Sequence, residues 1–276
     1  MQPVVAIVSM PFWWDGYAKD FRSLYRAVLF DYQDSVATYS RNSQIKRRME
    51  ILFEELMKDA DGLIAHTEAG FSRLASKRSS AGIILVRNGC DETLPMRRIP
   101  RRGRTDESRP IIGTVGRITE NIDVSLLLEL ADRFPTATIE NVGTVSNYRK
   151  ALKSKRNIRL SPPESEEKLL EKIANFDIGI LPYRSDIEGS PMRVYDLLSM
   201  HLQVVSTFFP DVTYFENVVH VARKREEFIP TVDSLINGRR MQIQAEAMEQ
   251  FLKENRWEGR VAALVAFCEK LLSRTQ

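Results

Sequence analysis

Residues 176–206 constrain this chain more than any other stretch, because their order of residue types reads strand, loop, helix, strand. Ile178, Gly179, Ile180 and Leu181 form a short unbroken apolar run. A strand with one wet face alternates apolar and polar residues. A continuous run therefore fits a strand buried on both faces, as in a parallel sheet covered by helices. Arg184 to Gly189 is loop material at the strand's carboxyl end. Ser190 and Pro191 read as an N-cap and a first helical residue: Ser can accept from a free N–H, and Pro has none to leave unsatisfied. The helix runs to about Met200, and Val204, Val205 and Ser206 begin the next strand. Such alternation, repeated along the chain, belongs to the α/β class.

Arg193 is out of place in that helix. It falls in the first turn, where the helix dipole is already positive, so a cation there is unfavourable by a few tenths of a kcal/mol, ~0.3 or more. Two readings stand. Arg193 and free backbone N–H groups converge on an anion such as a phosphate, or Arg193 reaches solvent or pairs with Asp196 three residues on.

Composition removes several alternatives. The chain has 276 residues, 43% hydrophobic and 28% charged, enough for a sizeable core and for two domains. A net charge of +3 does not mark a nucleic-acid binder. Cys90 and Cys268 lie far apart and fit neither a disulfide framework nor a metal motif, which points to a reducing compartment. His66, His201 and His220 are scattered, so no metal site is expected. No run is long enough for a membrane span and no signal peptide is evident, so a cytoplasmic location is expected, peripheral to the inner membrane.

In chain order, residues 3–10 read as a buried strand followed by Phe12, Trp13 and Trp14, which either stack on a ligand or form core under a loop. Residues 28–32 are a second strand. Asp31 and Asp34 stand at its carboxyl end, where ligands bind in open α/β sheets, and are acceptor-side candidates. Residues 45–57 read as a helix with Ile45, Met49, Leu52, Phe53 and Leu56 inward. A third strand exits at His66, which either touches a substrate or is a satisfied buried histidine. Residues 83–86 are a fourth strand, and Asn88-Gly89 is a turn signal. Residues 96–109 carry Arg97, Arg98, Arg101, Arg102, Arg104 and Arg109, broken by Pro100 and Gly103. They read as a solvated linker or as a segment drawn to anionic lipid.

The second half opens with a strand at 111–115, then Gly116 and Arg117. Small residues and a cation at a strand terminus suit a phosphate, although this is no GxGxxG fingerprint. A helix at 124–134, strands at 136–142 and 157–160, and a helix at 164–175 lead to the stretch described first. A final helix at 257–272 is expected to turn Val261, Leu264, Val265 and Leu271 inward.

These motifs together resemble glycosyltransferases of the two-Rossmann (GT-B) type, closest to the retaining family 4 and its bacterial polysaccharide-biosynthesis relatives. The family pattern is Glu, seven residues, Glu. Glu188 and Asp196 stand at that spacing, and Arg193 falls where many relatives carry Lys. Gly116-Arg117 resembles the entry of the donor domain, Asn88-Gly89-Cys90-Asp91 the turn between domains, and Asp31 and Asp34 a Tyr-Asp-x-x-Asp run. The chain departs from the pattern at Asn121, where a Lys is common, and at His201 and Gln203, which replace a Gly and a Pro.

The resemblance implies two Rossmann-like domains, the N-terminal one incomplete. The divisions are a partial acceptor-side domain at 1–95, the basic linker at 96–109, a donor domain at 110–250 and a helix at 251–276 packing back on the first domain. It implies transfer of a sugar from a nucleoside-diphosphate donor to a saccharide or lipid-linked acceptor, without metal or cofactor and without nucleic acid. Arg117, Arg193 and Glu188 would serve catalysis, and Gly116, Gly189, Ser190 and Asp196 donor binding. Two other readings are a shortened, non-catalytic nucleotide-binding or interaction module and, more remotely, a sugar-nucleotide epimerase. A complete first domain would need roughly 150 residues. Fewer strands would leave an exposed edge and an apolar face.

Overall fold

The computed structural model describes residues 5–15, 19–33, 42–91, 109–162, 165–187, 189–239 and 242–274. Asp34, Glu188 and the arginines at 97, 98, 101, 102 and 104 lie outside these residues. The chain divides into two compact units: residues 1–88, 188–190 and 257–276 form one, and residues 89–187 and 191–256 the other.

The first unit is built on a parallel sheet of β1 (Val5–Val8), β2 (Ala27–Tyr32), β3 (Gly62–Ala65) and β4 (Ile83–Leu85), in sequential order. All of β2 and β3 is buried, as their unbroken apolar character requires. Helix α1 (Pro11–Trp13) is a single turn, followed by α2 (Ser43–Asp59) and α3 (Glu68–Ala75). Asn42 caps α2 by accepting from Gln44 N and Ile45 N, and Thr67 caps α3 by accepting from Gly70 N at 2.9 Å. Met49, Leu52, Phe53, Leu56 and Met57 form the buried stripe of α2. Ile45 does not join it and is half exposed. Of the aromatic cluster, Trp14 is core, while Phe12 and Trp13 stay exposed and lean on each other at 5.0 Å.

The second unit holds six parallel strands: β5 (Ile111–Val115), β6 (Thr138–Val142), β7 (Ile158–Ser161), β8 (Ile178–Leu181), β9 (Gln203–Thr207) and β10 (His220–Ala222). Their order is β10-β9-β8-β5-β6-β7. The chain builds outward from β5 to β7, then returns to place β8 on the other side of β5. The helices are α4 (Val124–Arg133), α5 (Arg149–Leu152), α6 (Glu166–Ile173), α7 (Arg193–Ser199), α8 (Phe228–Ile236) and α9 (Ala245–Glu254). One continuous apolar core unites both faces of this sheet, including Ile112, Leu130, Phe176, Ile180, Leu197 and Val205. Each such side chain contributes about 1.5–3 kcal/mol by leaving water.

One local expectation fails here. Ser190 does not cap the following helix. The helix begins at Arg193 with Met192 in the capping position, because residue 192 already has helical dihedrals and makes no side-chain cap. His201 takes the turn after α7 with φ +54°, a left-handed conformation that disfavours a side chain.

Helix α10 (Trp257–Arg274) belongs to the first unit and packs on its sheet through Leu264, Phe267, Cys268, Leu271 and Leu272. Gly62 lets it seat closely: a Cβ there would stand 2.7 Å from Leu271 Cδ1. Val261 and Val265 are exposed, not inward. Val265 is one residue, about 100°, from Leu264 and so leaves the stripe, and Val261 lies a turn beyond its start.

Candidate functional site

The strand order of the second unit reverses between β5 and β8, and in open α/β sheets ligands bind outside the carboxyl ends at such a reversal. The loops leaving those two strands are laced together. Asp123 N donates to Pro182 O at 2.8 Å and Arg184 N to Asn121 O at 2.9 Å.

Gly116 ends β5 with φ +94°, and Gly143 ends the neighbouring β6 with φ +154°. A Cβ on Gly143 would come 2.2 Å from Gly116 O, so the two strand ends approach backbone to backbone. A Cβ on Gly116 would come 2.6 Å from Arg193 Nη2. The Arg193 guanidinium thus lies directly on the glycine turn. It donates a long hydrogen bond to Arg117 O, 3.4 Å, and its Cζ stands 5.5 Å from the centre of the Tyr183 ring. The pairing of Arg193 with Asp196 weighed above does not form. Among the described residues neither Arg193 nor Arg117 makes an ion pair, and Arg117 is exposed. A guanidinium without an ion pair on a glycine turn makes a local positive site.

Asp196 sits three residues along α7, largely buried. Burial pushes its carboxyl up to about 6, with Glu166 adding to the rise and Arg193 opposing it.

A cavity of about 730 Å³ opens beside this cluster, lined in part by Asp123, Tyr148, Tyr183, Arg184, Thr207 and Arg225. Tyr183 forms a wall of the cavity on which Arg193 also rests, although Gly116, Arg117, Arg193 and Asp196 do not line it. The cavity's cations are committed: Arg184 pairs with Asp186, Arg223 with Glu216, and Arg225 is held most fully. Arg225 donates to Asp123 Oδ2 at 2.7 Å, Glu129 Oε1 at 2.6 Å and Ser125 Oγ at 3.0 Å. Burial opposes ionisation of Asp123, but hydrogen bonds from Arg225, Ser125 and Leu126 N hold its pKa below the usual value. Arg225 is therefore a structural pin, and Arg193 is the cation left open to a ligand. Tyr183 went unnoticed in the sequence. The available signal was an aromatic residue two places beyond a buried strand, next to Pro182.

Gly189 and Ser190 fall in the first unit, where Asn88 Nδ2 donates to Ser190 O at 2.7 Å. Ser190 Oγ is buried without a hydrogen-bond partner.

In the first unit, Asp31 is buried at the end of β2 and accepts from His66 Nε2 at 2.5 Å and Gln33 Nε2 at 2.8 Å. Burial would raise its pKa, but these bonds outweigh it and leave the carboxyl below its ordinary value. Asp31 and His66 thus engage each other. Among the described residues no cluster of His, Cys, Asp and Glu is arranged to hold a metal, and no helix is long and apolar enough to cross a membrane.

No family model matches the sequence, and no curated protein matches it. Solved structures do. TarM superposes with a TM-score of 0.71 at 14% identity, over 96% of this chain and 54% of TarM. Anabaena HepE in complex with UDP gives 0.77 at 12% identity, over 97% of this chain and 79% of HepE. The pneumococcal O-GlcNAc transferase GtfA with UDP and GlcNAc gives 0.66 at 11% identity, over 97% of this chain and 57% of GtfA. This chain has the α/β fold of GT-B glycosyltransferases. It spans about half the length of TarM and GtfA.

Proposed function

We propose that this protein is a glycosyltransferase that moves a sugar from a nucleoside-diphosphate donor to a saccharide or lipid-linked acceptor. One observation carries the reading: Arg193, unpaired, rests on the Gly116-Arg117 turn at the strand-order reversal. In transfer, the bond from the anomeric carbon to the diphosphate oxygen breaks and a bond to the acceptor oxygen forms, while the acceptor's proton leaves. Negative charge grows on the departing diphosphate. Arg193 and Arg117 would stabilise that charge, and Arg193, held on the turn before the reaction, needs little reorganisation. Gly116 leaves room for a phosphate to reach the backbone. Asp196, as carboxylate, would accept from the ribose hydroxyls. Glu188, Gly189 and Ser190 are assigned to the donor sugar and phosphate, and Asp31 and Asp34 to the acceptor side. The role of Asp31 would be indirect, since its oxygens already hold His66 and Gln33.

The retaining, family 4-like type and a place in bacterial polysaccharide synthesis on the inner face of the membrane follow from the motif pattern and belong to this proposal. UDP is the first nucleotide to try, because HepE and GtfA were crystallised with it. Calorimetric titration with UDP, GDP, TDP and ADP should find one that binds and that Arg193→Ala loses. Absence of binding by all four would reject the donor-site reading.

A further inference from the structure

The loops leaving β5, β6, β8, β9 and β10 all contribute to the cavity of about 730 Å³ in the second unit. That volume lies within the range of about 300–1,000 Å³ typical of small-molecule sites. Its charges are already matched. Among the described residues, Glu120, Asp123 and Asp186 line it against Arg184, Arg223 and Arg225. Arg184 Nε donates to Asp186 Oδ1 at 3.3 Å and Arg223 Nη2 to Glu216 Oε1 at 2.5 Å, while Arg225 is held by Asp123 and Glu129. An added phosphate would have to break one of these pairs or sit beside the carboxylates. A purely apolar ligand would strip water from charged groups and return no hydrogen bond. A hydroxyl group meets neither objection, because it can donate to a carboxylate and accept from a guanidinium.

The walls supply a second kind of surface. Tyr148, Tyr183 and Phe208 line the cavity from three different loops. Tyr183 is buried and packs edge-on against Phe209, with ring centres 5.3 Å apart, and its carbonyl accepts from Thr207 Oγ1 at 2.6 Å. Tyr148 and Phe208 are half-buried and packed against the main apolar core. The face of an aromatic ring is electron-rich and attracts weakly positive C–H groups laid across it. A pyranose ring offers such a C–H face, rimmed by hydroxyls. Paired charges and aromatic faces in one concave surface are both satisfied by that single chemistry.

We propose that this cavity binds a neutral saccharide that is not joined to the nucleotide. Tyr183 is its wall next to Arg193, whereas Gly116, Arg117, Arg193 and Asp196 lie outside its lining. A saccharide in the cavity is thus a neighbour of the diphosphate cluster without sharing its cations. Its role rests on the transfer reaction proposed above: it is a non-reacting stretch of the acceptor or product chain.

The test uses the full chain without nucleotide. Neutral oligosaccharides of glucose, galactose and N-acetylglucosamine are displayed on an array, and the strongest binder is titrated by calorimetry. Tyr148→Ala and Phe208→Ala should each weaken binding by about tenfold or more. Tyr148→Phe keeps the ring face and should stay within about twofold, as should Trp13→Ala, which removes an exposed aromatic of the first unit. Ser185→Trp, at an exposed position in the lining, puts bulk into the cavity without removing any core contact and should abolish binding even where an alanine variant folds poorly. Affinity for an uncharged ligand should hold between about 0.05 M and about 0.5 M salt, whereas an anion would be lost as screening tightens. Absence of binding to every oligosaccharide on the array would overturn the proposal, as would binding that survives Tyr148→Ala, Phe208→Ala and Ser185→Trp. A loss of UDP affinity in Tyr148→Ala would also overturn it, by marking the cavity as a nucleoside pocket. UDP titrated into the wild type and Arg193→Ala reads the donor site separately. Saccharide binding without nucleotide binding would therefore reject the donor-site reading and leave this site standing.

Discussion

The two sheets are both parallel, yet only one of them reverses. In the first unit each strand is laid beside its predecessor, β1 to β4. Each connection then leaves in the same direction, and no pair of neighbouring loops diverges to open a crevice. In the second unit β5 has its successor on one side and β8 on the other, and the cavity and the arginine–glycine cluster lie there. The units differ in surface as well. Among the described residues, every exposed large apolar side chain except Met192 belongs to the first unit, including Ile7, Phe12, Trp13, Phe21 and Leu24. Exposed apolar side chains in number are a feature of contact surfaces. The strand-order reversal and its cation belong to the second unit, and most exposed large apolar side chains among the described residues to the first.

The sharpest way to break this comparison is to remove the cation that rests on the glycine turn of the second unit. Arg193→Ala should weaken nucleoside-diphosphate binding by about 1.5–3 kcal/mol, the range for a hydrogen bond to a charged group. Asp31→Asn in the first unit should leave that affinity within twofold. Calorimetry on both variants decides it, and equal effects would erase the distinction.

Titration offers a second contrast, because Asp196 in the second unit and Asp31 in the first shift in opposite directions. Asp196 is raised from 3.8 to about 6, so its folded form holds a proton that the unfolded chain has released. Stability from this group is greatest below 3.8 and is lost as pH rises through about 6. Asp196→Asn should therefore stabilise the protein at pH 8 by about 2 kcal/mol, less than the full shift because some solvent reaches the carboxylate, and little at pH 4. Asp31 is lowered, so its contribution is present above 3.8 and is lost as pH falls through its folded value. Denaturant melts of the wild type and both variants across pH would show the slopes diverging. If Asp196 binds ribose as a carboxylate, nucleotide affinity should rise through pH 6, and Asp196→Asn should remove that part of the profile.

Gly116→Ala should cost about 1–2 kcal/mol in stability, from the left-handed backbone and from displacement of Arg193. It should also weaken nucleotide binding. Gly259→Ala, in open space on α10, should be neutral or slightly stabilising. A modest effect is expected at His201. His201→Gly relieves a positive φ but loses the contact of His201 Nε2 with Glu249 Oε1 at 3.1 Å, so a gain of about 0.5–1 kcal/mol should appear as a modest rise in Tm.

Much of the fold was legible from local pattern. The run Ile178 to Leu181 is β8, residues 111–115 are β5, and α4 lies within residues 124–134. Illegible features were those that depend on what lies beyond an element's end. Periodicity assigns Ile45 and Val261 to an inner face, but burial also needs a neighbour at that height. Ser190-Pro191 carries a helix-start signal, yet its backbone hydrogen-bonds to Asn88, 102 residues away, and the helix begins later. The candidate site was half legible. Gly116, Arg117 and Arg193 carry their chemistry in the sequence, whereas Tyr183 and the pinning of Arg225 by Asp123 and Glu129 do not.

The sequence by itself determined the α/β alternation, the buried strands and the residue types that suit an anion, because these follow from periods of 2 and 3.6 residues and from side-chain chemistry. Tertiary structure alone decided that β8 returns beside β5, which sets Arg193 on a turn 76 residues earlier, and that Tyr148, Tyr183 and Phe208 line one cavity. Strand order is a choice among long-range packings, whose energies depend on complementary surfaces meeting and not on any local pattern.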